Sequence, residues 1–200
     1  EGTSSGSVGE LWYFFERELN YTVTLLNTGN SESLDLKDYD VLILTSGSYP
    51  KLKDTIMDFV KRGGKVIAIE NALSVFAGEK TTSLAKAMEI RSAEQKAIEK
   101  KVKSDDTTFL KKFEYQNERR YNLSERSASS IYKVRLDDTH PYAFGLGKEW
   151  FIMKRTAGYT FLATGNNIGY ILEKEPVSGF AGFKYKDKIK NTLVIGSENI

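Results

Sequence analysis

Two residues carry most of the chemistry that this sequence could perform, and the first is Glu70. It follows the apolar run Val66–Ile69 and precedes Asn71, where a predicted strand turns into a predicted helix. Such a turn projects one side chain above a sheet and directs backbone N–H groups at whatever binds there. Cysteine or serine at the turn would be a nucleophile beside an oxyanion hole, but glutamate is a poor acyl-transfer nucleophile. The pattern favours a carboxylate that caps the following helix or pairs with a cation, with a general base as the alternative.

The second residue is His140, the only histidine of the chain, in the segment LDDTHPYAFGLG. One histidine cannot form a catalytic dyad without a nucleophile, so we expect it to make a structural hydrogen bond in an extended or turn segment before Pro141. Asp137 and Asp138 could join it on a metal ion, but their spacing is not specific for zinc. We therefore predict no metal site and no cofactor in this segment.

Small polar loops provide a candidate binding surface. The sequence SGS at 46–48 follows an apolar strand and precedes a helix, like loops that cradle anions, and SSGS at 4–7 is similar. Neither matches a P-loop or a dinucleotide fingerprint. Ligands of open α/β sheets bind at the carboxyl ends of the strands. The residues expected to line such a crevice are Ser46, Gly47, Ser48, Glu70 and Asn71.

Composition excludes several classes of function. The chain has no cysteine, which rules out a thiol nucleophile, a disulfide or a cysteine-ligated metal within it. With 29 basic and 27 acidic residues the net charge is +2, which gives no electrostatic argument for nucleic acid. Its longest apolar runs are strand-sized, so no membrane span is predicted. The chain begins at Glu1 without a signal-peptide pattern, which favours a processed chain or a fragment.

Elements that would position these residues alternate in the first part of the chain. Helical spacing predicts a helix over 7–19, capped by Ser5 or Ser7, and a strand over 21–26. Strands at 41–45 and 66–69 flank a helix that Pro50 begins and Gly63-Gly64 ends. The buried stripe of that helix would comprise Leu52, Ile56, Phe59 and Val60. This alternation predicts βαβ units with right-handed crossovers in a mainly parallel sheet.

The remainder divides into a charged and a β-rich part. Residues 81–126 predict a solvated helical excursion, with a lid or a docking insertion as the alternative. From residue 130 onward an antiparallel part is expected, with hairpin turns at 165–167 and 186–190. Its predicted strands lie at 131–136, 161–163, 169–172, 179–185 and 192–195. We predict a single α/β domain over residues 1–200.

The block over residues 41–78 resembles the class I glutamine amidotransferase-like superfamily, in which Glu70 would take the position of the elbow cysteine. The chain is more specifically similar to the domain downstream of the catalytic domain in Bacteroidetes-type zinc carboxypeptidases. The segments that carry this likeness are EGTSSGSVGELWYFFERELNYTVTLLN, YDVLILTSGSY, FVKRGGKVIAI and IYKVRLDDTHPYAFGLG.

The resemblance implies a flavodoxin-like three-layer sandwich in an exported, extracytoplasmic protein. Its implied partners are an N-terminal peptidase domain of the same polypeptide and a peptide or cell-envelope ligand. The expected function is a non-catalytic accessory domain that supports or extends the substrate-binding surface of the peptidase. Two alternatives remain: a hydrolase with Glu70 as general base and His140 as acid, and a structural module that docks through residues 81–126.

Overall fold

The computed structural model describes residues 2–29, 34–88, 120, 123–155 and 158–200. It divides into two compact units. Unit 1 comprises Glu1–Thr82 with Ile200, and unit 2 comprises Ser83–Asn199. Most of the charged helical excursion predicted for 81–126 lies outside the described residues, so its docking role stays a prediction. Where it is described, Lys86–Met88 form a strand and not the predicted helix.

Unit 1 begins with helix α1, Ser5–Tyr13, which continues as a π-helical turn over Phe14–Glu18. Ser4 caps the helix, because its hydroxyl accepts a hydrogen bond from the Ser7 N–H at 3.3 Å. The prediction that Ser5 or Ser7 is the cap was wrong by one to three positions. Residues 4–7 include three serines, and only the backbone conformation shows which of them is the cap.

A βαβ motif follows in unit 1. Strand β1, Val41–Leu44, pairs in parallel with strand β2, Lys65–Ala68. A 3₁₀ turn over Pro50–Leu52 and helix α2, Lys53–Lys61, connect them. A second 3₁₀ segment, Glu70–Val75, follows β2 almost directly.

Helix α2 confirms the predicted apolar stripe and the predicted stop. Leu52, Ile56 and Phe59 are buried, and Val60 is half-buried. At its end the Gly63 N–H donates to the Val60 carbonyl at 2.8 Å and the Gly64 N–H donates to the Phe59 carbonyl at 3.0 Å. This pair of bonds is a Schellman motif, and it needs the left-handed φ of +94° that Gly63 adopts. The glycine pair therefore fixes where the chain leaves the helix and enters β2.

Unit 2 is built on an antiparallel sheet with the strand order β3-β6-β8-β7-β4-β5. Strands β4 and β5 form a hairpin, and β7 pairs with both β4 and β8. Helix α3, Phe183–Ile189, precedes the last strand. The strands are β3 (Lys86–Met88), β4 (Ser130–Leu136), β5 (Glu149–Lys154), β6 (Gly158–Tyr159), β7 (Asn166–Ile171) and β8 (Thr192–Ser197).

The core of unit 2 lies on one face of this sheet. Along β4 the side chains alternate, with Tyr132 and Val134 buried and the residues between them exposed. Tyr185 and Ile189 of α3 belong to the same buried cluster. Because burial disfavours the phenolate, the pKa of Tyr132 is raised to about 12. The strict alternation of β4 is typical of a sheet with one covered face, which antiparallel sheets can have.

The predicted fold class was wrong. The sheet that contains β1 and β2 has two parallel strands, whereas the six-stranded sheet pairs antiparallel throughout, among the residues described. The chain is therefore not a mainly parallel, flavodoxin-like three-layer sandwich. The apolar runs of β1 and β2 are compatible with a large parallel sheet, but Val41 and Ile67 are exposed, and the runs do not indicate how many further strands join them.

Several individual elements also differ from the prediction. Residues 21–26 form no strand, and Tyr21 and Leu25 are exposed. The strand predicted for 179–185 and the turn predicted for 186–190 are replaced largely by α3. Strands β4, β7 and β8 confirm the predictions near 131, 169 and 192. The aromatic residues Phe180, Phe183 and Tyr185 favour a strand by composition, but the spacing of four between the buried Tyr185 and Ile189 is helical.

Candidate functional site

The two polar segments that the sequence singled out in unit 1 follow neighbouring parallel strands. The loop 45–49 follows β1, and the turn at Ile69–Asn71 follows β2. The Ile69 N–H donates to the Leu44 carbonyl at 3.0 Å, which extends the pairing to the point where both strands end. Parallel strands end at the same edge of a sheet, so the loop and the turn share this edge. We call it the strand-end edge of unit 1.

The loop at 46–48 is braced by the amino-terminal segment. The Ser46 N–H donates to the Ser7 hydroxyl at 3.3 Å, and the Ser48 N–H donates to the Gly2 carbonyl at 3.0 Å. The Ser46 carbonyl accepts from the Ser4 N–H at 2.9 Å. Two of the three N–H groups expected to face an anion are therefore used inside the protein.

Gly47 allows this close approach. It forms a bridge with Thr3, and a Cβ at position 47 would lie 2.7 Å from the Gly2 carbonyl oxygen. That distance is too short for any side chain, so the glycine serves backbone packing. Ser46 is buried, whereas Ser48 is exposed and keeps its hydroxyl at the surface. The loop can therefore offer the Ser48 hydroxyl to a ligand more readily than a group of free backbone N–H donors.

Glu70 stands at the turn in a strained backbone conformation. Its φ is +52°, a left-handed value that a residue with a Cβ adopts at a cost of about 1–2 kcal/mol. The turn itself is sharp, because Ile69 is still extended at φ −116° and the 3₁₀ segment begins one residue later. The predicted elbow is thus present, with glutamate where a nucleophile would stand.

The carboxylate of Glu70 has no partner within the part of the chain that is described. It is exposed, and it makes neither a helix-capping hydrogen bond nor an ion pair there. Asn71 beside it is also exposed. The two structural roles that the sequence favoured for Glu70 are therefore not seen among the described residues. A strained, charged and unpartnered side chain is the pattern expected where a backbone is held for binding.

His140 lies in unit 2, in the loop between β4 and β5. Its Nδ1 accepts a hydrogen bond from the Tyr142 N–H at 3.2 Å, which caps the 3₁₀ turn Pro141–Ala143. Its ring packs edge-to-face on Tyr142 with centroids 5.1 Å apart. The imidazole thus makes the local structural hydrogen bond that its sequence position predicts. A catalytic pairing of His140 with Glu70, which lies in unit 1, remains an untested prediction.

The neighbouring acidic residues also serve local structure. The hydroxyl and the N–H of Thr139 both donate to Asp137, at 2.6 and 3.1 Å, and these bonds lower the pKa of its carboxyl. Over the described ranges, no three or more histidine, aspartate or glutamate side chains gather closely enough to hold a metal ion. The same ranges include no helix that is both long and apolar enough to cross a bilayer.

One polar cluster in unit 2 has no signal in the sequence. The carboxylate of Glu198 accepts from the Ser83 N–H at 3.0 and 3.1 Å and from the Ser83 hydroxyl at 2.5 Å, and it also accepts from the Thr164 hydroxyl. Partial burial raises the pKa of Glu198, but these hydrogen bonds outweigh burial and hold the pKa below its ordinary value. The partners are far apart along the chain, so no local motif could reveal them.

Comparison with protein-family models, with curated proteins and with solved structures finds no match to this chain.

Proposed function

We propose that the chain is a non-catalytic accessory domain whose strand-end edge binds a ligand that carries an amino group or another cation. The observation that supports this most strongly is Glu70: an exposed carboxylate without a described partner, held in a disfavoured backbone conformation at the end of a strand. Evolution removes such strain easily by substituting glycine, so its presence favours a role outside the fold.

The chemistry at the edge favours recognition over catalysis. The chain has no cysteine, and the elbow position carries a carboxylate in place of a nucleophile. Glu70 and Asn71 offer an anionic and an amide acceptor, and Ser48 offers an exposed hydroxyl. Acceptors of this kind suit a protonated amine, which donates up to three hydrogen bonds.

The proposed setting is a larger, extracytoplasmic protein with a zinc carboxypeptidase domain that precedes this segment. In that setting a bound peptide, or an amine of the cell envelope, would extend the substrate-binding surface of the peptidase. This part of the proposal rests on the sequence resemblance alone. The gene sequence upstream of the codon for Glu1 tests it directly: a zinc-peptidase domain would support the setting, and an initiator methionine would contradict it.

Nuclear magnetic resonance tests the binding proposal. Isotope-labelled protein is titrated with a short lysine-containing peptide that has a free amino terminus, and separately with the same peptide acetylated on both amines. We expect concentration-dependent shifts of the amides at 69–72 with the free peptide and weaker shifts with the acetylated one. The Glu70→Gln variant should bind at least about ten-fold more weakly, because a hydrogen bond to a charged group contributes about 1.5–3 kcal/mol.

The exposed Glu173 provides the matched control, because it is a carboxylate of unit 2 outside any described hydrogen bond. Glu173→Gln should bind the peptide as the unaltered protein does. Shifts that persist unchanged in Glu70→Gln would place binding elsewhere, and an absence of shifts with either peptide would contradict the proposed ligand class.

A further inference from the structure

Among the described strands, β5 is one of the two edge strands of the six-stranded sheet, with β3 at the other edge. It pairs with β4 on one side, and no other described strand pairs with its far side. Three of its side chains are large, apolar and well exposed, namely Trp150 at 49%, Phe151 at 53% and Met153 at 66%. An exposed apolar edge strand is a template for pairing with another extended chain.

The hydrogen bonds of β4 identify which backbone groups of β5 face outward. Ile131 donates to the Ser178 carbonyl and accepts from the Val177 N–H, both at 2.8 Å, so its backbone groups point away from β5. Met153 is the residue of β5 opposite Ile131. Opposite residues in an antiparallel pair share one hydrogen-bonding state, and the state alternates along the strand. The N–H and C=O groups of Glu149, Phe151 and Met153 therefore face the open edge.

The sequence around this edge is self-complementary about Ile152. When two copies of β5 run antiparallel with Ile152 opposite Ile152, Phe151 of each copy lies opposite Met153 of the other. In the same register Glu149 lies opposite Arg155, and Trp150 lies opposite Lys154. Each charged residue thus meets an opposite charge or an aromatic face.

The alternative registers are less favourable. A shift of one residue is incompatible with twofold symmetry, because it would place side chains of opposite sheet faces across from each other. The shift of two that centres on Phe151 places Lys148 opposite Lys154, and like charges in opposed positions repel. Only one register combines apolar pairs with matched charges.

We propose that β5 pairs with β5 of a second copy of this chain, in antiparallel register about Ile152, to form a twofold-symmetric dimer with a continuous sheet. One strand pair buries less than a standard interface, so we expect a weak, reversible dimer.

Sedimentation equilibrium over a range of protein concentrations tests the proposal. The unaltered protein should dimerise, and Arg155→Glu should raise the dissociation constant of the dimer about ten-fold, because it opposes two pairs of negative charges. The double variant Glu149→Arg with Arg155→Glu restores both ion pairs between the copies and should regain dimerisation, although it removes the ion pair between Lys133 and Glu149 within each copy. Lys188→Glu, an equal change of charge on an exposed position of α3, should leave dimerisation unchanged.

Disulfide trapping checks the register independently, because the chain has no cysteine of its own. In the proposed dimer two Ile152→Cys copies oppose each other at about 4.5 Å between Cα atoms, a separation that a disulfide spans. Met153→Cys copies would be offset by two residues, too far apart to bridge. Cross-linking of Ile152→Cys but not of Met153→Cys is expected. A monomer at every concentration, an Arg155→Glu variant that dimerises normally, or equal cross-linking of both cysteine variants would overturn the proposal.

Discussion

Glu70 in unit 1 and Glu198 in unit 2 show two different uses of a carboxylate. Glu198 accepts hydrogen bonds from the backbone and hydroxyl of Ser83 and from the hydroxyl of Thr164. Glu70 is exposed, stands at φ +52° and has no partner within the described structure. The first residue ties together segments that are distant in the sequence, whereas the second adds strain and no described contact. A polar side chain that costs stability without stabilising its neighbours is the better candidate for function.

The largest effect is expected at Glu198. The Glu198→Ala variant should lower the free energy of unfolding by about 2 kcal/mol, because it removes charged acceptors and leaves the Ser83 N–H without its partner. Urea denaturation followed by circular dichroism measures this. Glu173→Ala, at an exposed carboxylate, should stay within about 0.5 kcal/mol of the unaltered protein. Equal effects of the two substitutions would mean that Glu198 stabilises the fold no more than an ordinary exposed carboxylate does.

Acid should weaken the same cluster. Because the pKa of Glu198 is lower in the folded protein, its stabilising effect is present above the pKa of the unfolded chain, about 4.3, and is lost as the pH falls through the folded pKa. The difference in unfolding free energy between the unaltered protein and Glu198→Gln should therefore shrink below about pH 4.3. Urea midpoints across an acidic pH series give this difference. A constant difference would show that the charge of Glu198 does not stabilise the fold.

A smaller effect of opposite sign is expected at Glu70. Glu70→Gly should raise the free energy of unfolding by about 0.5–1 kcal/mol, because glycine adopts a left-handed conformation without strain. Glu70→Ala should give no comparable gain, since alanine is as strained there as glutamate. The same urea experiment measures both variants.

Gly63 provides the converse control, because it also has a left-handed φ but already carries glycine. Gly63→Ala should lower the unfolding free energy by about 1 kcal/mol. A loss of stability in Glu70→Gly would mean that the side chain of Glu70 stabilises the fold, and the contrast with Glu198 would fail.

The sequence predicts local features of the chain better than it predicts the size of a sheet, for a physical reason. The apolar stripe of α2, its Gly63-Gly64 exit and the elbow at Glu70 are local features, encoded within one or two turns of chain. The number of strands in a sheet is not local. The apolar runs at β1 and β2 are typical of central parallel strands. No pattern within them indicates that their described sheet has only two strands.

The candidate site likewise has features that the sequence predicts and features that it does not. Its position at the strand ends follows from the βαβ order, so Ser46 and Glu70 could be placed at one edge from sequence. The hydrogen bonds that brace the loop could not be predicted, because they come from Gly2 and Ser7, some forty residues away. The left-handed φ of Glu70 could not be predicted either, because glutamate is not a residue type that favours this conformation. The anchoring of Glu198 by Ser83 is a pairing of still more distant residues, which one sequence cannot reveal.

The affinity of the Glu70→Gly variant for the lysine-containing peptide tests most directly whether the strained glutamate is kept for a ligand. This variant relieves the strain and removes the carboxylate in one change, so it separates the fold from the function. We predict that it binds at least about ten-fold more weakly than the unaltered protein, a loss of about 1.4 kcal/mol or more, while its fold is at least as stable. Unchanged affinity in a folded Glu70→Gly protein would contradict the account.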